Sequence, residues 1–202
     1  MKDEMDILRE VGSIAAGHGS IALSEILGRK INVEMPSLEI IPADIVLEKI
    51  PTDQIVISVS SNILSGLKGE ILFVLDEKSA FKLVDMCYRL HNEDKKGSMF
   101  TEMGLSVIKE IGNVIISSYI GALSMILRTI IIPSIPTLVS SSIQQTLSMV
   151  IAPYCRDDYI LLTETVFLEP SERINGCFYL VLNAEAMKCV QNACKKMLES
   201  LK

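Results

Sequence analysis

The chain repeats itself at a fixed interval, and that limits its architecture more than any other feature. Glu10-Val11-Gly12-Ser13-Ile14 returns as Glu110-Ile111-Gly112-Asn113-Val114. The offset of 100 residues persists through Ala22-Leu23-Ser24 and Ala122-Leu123-Ser124, through Ile26-Leu27 and Ile126-Leu127, and through Pro36 and Pro136. Farther along, Gly69-Glu70-Ile71-Leu72-Phe73-Val74-Leu75-Asp76 returns at an offset of 107 as Gly176-Cys177-Phe178-Tyr179-Leu180-Val181-Leu182-Asn183. Two copies are too few for a solenoid, in which several stacked units share one continuous core. The inference is a single domain over residues 1–202 with pseudo-two-fold symmetry. Its repeats are residues 1–91 and 101–202, joined by a polar linker at 92–100.

Each repeat reads as helix, strands, helix. Asp3 or Asp6 can cap a long first helix that runs to Gly28, where glycine is a natural stop. Residues 38–46, 54–61 and 68–75 are β-prone, with a turn at Ser65-Gly66, and 76–91 form a helix. In the second repeat, 101–127 form the long helix. Leu138, Ile143, Leu147 and Val150 lie near helical spacing, so a short helix is expected after Pro136. Strands follow at 159–168 and 177–182, with a turn over 169–175 around Pro170, and a last helix closes the chain. Antiparallel hairpins with two long helices packed on one face give an α+β fold class.

Composition removes several function classes. The chain is 49% hydrophobic and 22% charged, which excludes a disordered chain. Lys and Arg total 19 against 25 Asp and Glu, with no basic stripe, so neither nucleic acid nor an anionic membrane surface is an expected partner. Residues 111–127 and 129–155 carry no charge, but Asn113, Ser117, Ser118, Pro133, Pro136 and Pro153 interrupt them. Neither is the run of about 20 apolar residues that spanning requires, so both read as buried elements rather than membrane insertions. No secretory signal is read at the start, where Met1 to Asp6 is acidic. The cysteines, Cys87, Cys155, Cys177, Cys189 and Cys194, form no CxxC and read as reduced thiols of a cytoplasmic protein. His18 and His91 are too few for a His-rich metal site, so no metal and no cofactor of the chain's own is expected.

The chemistry-bearing residues sit on the long helices. Glu110 and Asn113 are three apart and share one helix face, as do Glu10 and Ser13. Gly12 and Gly112 lie between them, although glycine inside a helix costs about 1 kcal/mol relative to alanine. Close approach of another surface is one reason to accept that cost. From spacing alone, two readings stand. The polar pairs are the solvent face of amphipathic helices and the glycines allow tight packing between the two helices, or the pairs are sites. A carboxylate and an amide cannot make a nucleophilic triad, but they can dock a cation and place a water.

The pattern Asp/Ser-x3-Glu-x2-Asn-x22-Pro resembles the signature of the CheC, CheX and FliY phosphatases of chemotaxis. The second copy matches at Ser106, Glu110, Asn113 and Pro136, and the first at Asp6, Glu10 and Pro36, with Ser13 where the family has Asn. The resemblance extends from about Asp3 to Leu198. Two motif copies favour a CheC-like chain over CheX, and the length leaves no room for the additional domain of FliY.

The resemblance implies a phosphatase acting on the aspartyl phosphate of CheY. Asn113 would orient the attacking water and Glu110 would pair with the receiver's active-site lysine. Ser106 would be supportive and Pro136 structural, holding the helix after it. Mg²⁺ would belong to the receiver. Glu10 with Ser13 would form a degenerate second site. Two other readings are implied: an adaptor for CheD through Ser140-Ser141-Ser142-Ile143-Gln144-Gln145, which lacks an acid, and a FliM-like flagellar-switch component.

Overall fold

The computed structural model describes residues 2–50, 53–91, 101–154, 158–169 and 172–200. The expected linker at 92–100 lies outside them. The first repeat runs α1 (Lys2–Leu27), β1 (Asn32–Pro42), α2 (Val46–Lys49), β2 (Ile55–Ser65), β3 (Gly69–Asp76) and α3 (Glu77–His91). The second runs α4 (Glu102–Leu127), β4 (Ile132–Pro133), β5 (Thr137–Ser142), α5 (Ile143–Ile151), β6 (Tyr159–Glu169), β7 (Glu172–Leu182) and α6 (Ala184–Ser200). The strands form one antiparallel seven-stranded sheet in the order β1-β6-β7-β3-β2-β4, with β5 also on β2. The expected α+β class is the class observed.

The sheet divides the apolar residues by strand alternation, since successive side chains point to opposite faces. Along β3, Ile71, Phe73 and Leu75 join the core under α1, α3, α4 and α6, while Leu72 and Val74 join a smaller core under α2 and α5. The two long helices therefore lie on one face, as expected, but short helices cover part of the other. Among the described residues one helix, α4, is long and apolar enough to cross a membrane. Here Ile108, Ile111, Ile115, Ile116, Tyr119 and Ile120 bury its inner side in the protein's own core.

Several boundaries differ from the sequence reading. Strand β1 begins at Asn32 and stops at Pro42, so Val46 belongs to α2. Pro36 is held within β1 at a register shift between Glu34 and Ser37, where an irregular ladder tolerates a missing N–H. Strand β2 continues to Ser65, and β6 reaches Glu169 while β7 starts at Glu172, so residues 172–175 of the expected 169–175 turn belong to a strand; residues 170–171 lie outside the described residues. Pro136 precedes a strand, not a helix. Leu138 packs with the large core and Ile143, Leu147 and Val150 with the small one. The apparent helical period thus joined residues from opposite faces of the sheet. The expected hold of Pro136 on the next helix is indirect, because β5 intervenes.

The repeat is imprinted on the sheet. Leu72 pairs with Tyr179 between β3 and β7, and these are equivalent residues at the offset of 107. A two-fold axis normal to the sheet passes between them. The repeats also exchange strands across it: β1 of the first pairs β6 of the second, and β5 of the second pairs β2 of the first. Any element lying flat on the sheet is reversed by such an axis, so α1 and α4 run antiparallel. They touch where a Cβ on Gly19 would lie 3.3 Å from Ile115 Cγ2. Because Ile115 is equivalent to Ala15 and Gly19 to Tyr119, the axis crosses the helices near residues 17 and 117.

The conserved spacing of Ser24 and Ser124 has a local cause within each copy. Ser24 Oγ accepts from Ile31 N at 2.9 Å, and Ser124 Oγ accepts from Ile131 N at 3.2 Å, tying each helix end to the strand that follows. Arg29 N and Thr129 N donate to the backbone oxygens of Ser24 and Ser124. The residue that reverses the chain is Gly28 at φ 58° in one copy and Arg128 at φ 51° in the other. A left-handed conformation costs a side-chain-bearing residue about 1 kcal/mol. Arg128→Gly is therefore expected to stabilise the protein by about 0.5–1 kcal/mol, read as a higher midpoint in urea unfolding; no change would remove the strain argument.

Candidate functional site

Helix α4 is positioned by three inner contacts. Thr101 caps it, accepting from Gly104 N at 3.0 Å. Tyr119 stacks on Phe178 with ring centroids 4.7 Å apart, and burial pushes its phenol up to about 12, so it stays protonated in the core. Between them Gly112 lies flat on β2: a Cβ there would stand 2.6 Å from Val59 Cγ2 and 2.7 Å from Val59 Cβ. Close approach to a strand is what this glycine permits. Gly12 is buried on α1 in the equivalent place.

With the inner side so fixed, the opposite side of α4 faces outward. Ser106 and Glu110 are exposed and Asn113 is half-buried. Their spacing of four and three stacks them along one stripe, with Cβ atoms of neighbours about 5–6 Å apart. Glu110 thus offers a solvated carboxylate next to an amide whose motion the helix surface restricts. An amide both donates and accepts, so this pair can hold a cation and a polarised water side by side.

On α1 the matching residues Asp6, Glu10 and Ser13 are all exposed. Asp6 is engaged by Arg9 at 3.8 Å. The surroundings differ from those on α4. Ile14 and Ile21 are 40% and 59% exposed, whereas Val114 is half-buried and Gly121 has no side chain. The fold brings Ser106, Glu110 and Asn113 together on one helix, and Asp6, Glu10 and Ser13 on another. It does not bring the prolines to either stripe. Pro136 is buried in the connection from β4 to β5, beside Ser134, whose N donates to Asn62 O at 2.7 Å. Pro36 sits in β1.

The sequence reading missed a cavity of about 360 Å³ on the other face of the sheet. Glu39, Lys49, Asp76, Glu164, Cys177 and Tyr179 line part of it, drawn from five separate elements. No spacing in the sequence could have signalled it. Burial, and then the Glu164 and Asp76 carboxylates, push the Cys177 thiol up to about 11, which disfavours a reactive thiolate. Buried Cys87 is likewise pushed up to about 11. Cys189 is exposed. Cys155 lies outside the described residues, and only the backbone of Cys194 is described. Among the described residues no group of three or more His, Cys, Asp or Glu side chains is placed to hold a metal ion.

Comparison with known proteins gives a consistent relationship. The CheC-like family model matches residues 103–140, the segment holding Ser106, Glu110, Asn113 and Pro136. The chain is 29% identical over 136 residues to the CheY-P phosphatase CheC of Bacillus subtilis, covering 67% of this chain and 65% of that one. It is 28% identical over 125 residues to the flagellar motor switch phosphatase FliY of the same organism, covering 61% of this chain and 32% of that protein. These alignments span less than two thirds of either relative's length. The crystal structure of Thermotoga maritima FliY shares the fold with a TM-score of 0.78 over 97% of this chain and 98% of that one, at 23% identity. The resemblance read from the motif is thus found in sequence and in fold.

The two interior glycines of α4 give a direct check on the packing. A Cβ at Gly121 would meet nothing within 4 Å. Gly121→Ala is expected to stabilise by about 1 kcal/mol through helix propensity alone. Gly112→Ala gains the same term but must displace the stiff, β-branched Val59, and is expected to lose about 2 kcal/mol net. Denaturant unfolding of the two variants should shift in opposite directions; equal shifts would contradict the close approach to Val59.

Proposed function

We propose that this CheC-related chain is a phosphatase that hydrolyses the aspartyl phosphate of a CheY-type receiver, with Asn113 as the working amide. The observation that supports this reading most is the outward stripe of Ser106, Glu110 and Asn113 on a helix anchored by Gly112 and Tyr119. The names of the CheC and FliY relatives agree with it.

An aspartyl phosphate is an activated acyl phosphate. Its hydrolysis needs a water placed in line with the leaving carboxylate, and phosphoryl transfer rewards such positioning more than covalent help. Asn113 accepts a hydrogen bond from that water with its Oδ1 and leaves a lone pair facing the phosphorus, while its amide N–H can donate to a phosphoryl oxygen. Glu110 has the simpler task of an anionic anchor for the receiver's lysine. The metal ion that neutralises the phosphoryl group belongs to the receiver in this scheme. Ser13 has a hydroxyl but no amide, so the α1 copy docks through Glu10 and hydrolyses poorly.

An adaptor role toward CheD is a secondary reading that no particular contact favours. Residues 140–145 form the end of β5 and the capped start of α5, where Ser142 Oγ accepts from Gln145 N at 3.2 Å and the first turn carries no acid.

Phosphate release from a phosphorylated receiver tests the assignment. Asn113→Ala is expected to lower kcat by about 10²-fold or more, since a misplaced reacting group costs roughly that much. Glu110→Ala should lower kcat/KM, the mark of lost docking. Full activity in Asn113→Ala would end the proposal. In the Asn113→Ala background, Ser13→Asn should restore turnover through the first copy; no recovery in a folded variant would show that α1 lacks more than the amide.

A further inference from the structure

We infer that the two motif copies compete for a single receiver, so that the Ser13 copy holds substrate away from Asn113 and throttles turnover. This rests on the phosphatase reading above and concerns how that site is regulated.

The geometry follows from the two-fold axis. Helices α1 and α4 are antiparallel and cross near residues 17 and 117. The centres of the Glu10–Ser13 and Glu110–Asn113 pairs lie five to six residues from that crossing, on opposite sides of it. At 1.5 Å per residue this is about 8 Å each, or about 16 Å along the pair. Packed helices are 8–10 Å apart, so the two pairs stand about 19 Å from each other. Both open outward from the same face. A receiver of about 120 residues has a radius of gyration of about 14 Å, equivalent to a globule roughly 35 Å across. A receiver seated over one pair therefore covers the ground a second would need.

The α1 copy is equipped to win part of that competition. Glu10 keeps the docking carboxylate in solvent. Ile14 and Ile21, exposed at 40% and 59%, add apolar area along the same helix, as Met103, 67% exposed, does on α4 one turn before Ser106, so neither dock lacks apolar contact. Ser13 cannot present a water as an amide does. Docking on α1 is thus binding without turnover. Such a mode lowers kcat and KM by a common factor, because saturating substrate fills both docks in proportion to their affinities.

Two measurements decide the matter. Calorimetric titration of the full chain with a beryllofluoride-loaded receiver should give one receiver per chain. Steady-state phosphate release should show kcat and KM rising together in Glu10→Ala, by about twofold if the two docks are equally strong. Ser13→Asn should instead raise kcat with little change in KM. Two receivers bound per chain, or unchanged kcat and KM in a Glu10→Ala protein with wild-type circular dichroism, would overturn the competition. No binding in the titration would instead overturn the phosphatase reading itself, and the competition with it.

Discussion

The approach of α4 to β2 at Gly112 governs the geometry of the outward face. A helix separated from a sheet by ordinary side chains can rotate and slide as they repack. Here Val59 meets helix backbone directly, and Tyr119 two turns on is clamped against Phe178. Those two points fix both the rotation and the register of the helix. Glu110 and Asn113, on either side of Gly112, inherit that precision without needing contacts of their own. This matters for a candidate site of only two side chains, because little else is available to correct a misplaced one.

Much of this was legible in the sequence because a periodic signal carried it. The helix ends at Gly28 and Leu127, the β-prone runs at 54–61 and 68–75, and the Glu–Asn spacing are all local patterns. What was not legible depended on which face of the sheet a residue meets. Leu138 and Ile143 fit one helical stripe on paper, yet the sheet lies between their cores. The cavity near Cys177 draws on five elements and leaves no trace at any fixed spacing. Gly112 was visible as a cost for which packing between the two long helices was one expected reason, and the partner proved to be strand β2 at Val59.

The two copies have drifted apart in a particular way. The features that hold the backbone together are kept in both: the Ser24 and Ser124 staples, the helix-ending turns and the paired hairpins. Differences lie on the outward face, where Ser13 stands for an amide and isoleucines for a glycine and a half-buried valine, and also between the helices, where Ala15 and Gly19 stand for Ile115 and Tyr119. A duplicated scaffold tolerates the outward changes, because an outward side chain can change without disturbing the packing its twin depends on.

Strand exchange between the repeats also sets an order of events during synthesis. Strand β1 is complete at Pro42, but its partner β6 begins at Tyr159, more than 100 residues later. At roughly 5–20 residues per second, the ribosome needs about 6–23 s to deliver it. Throughout that interval the nascent first repeat carries an unpaired strand edge and a half-covered apolar face. A chain of this design is a natural client for chaperones, and slow synthesis would lengthen its exposure rather than help it fold.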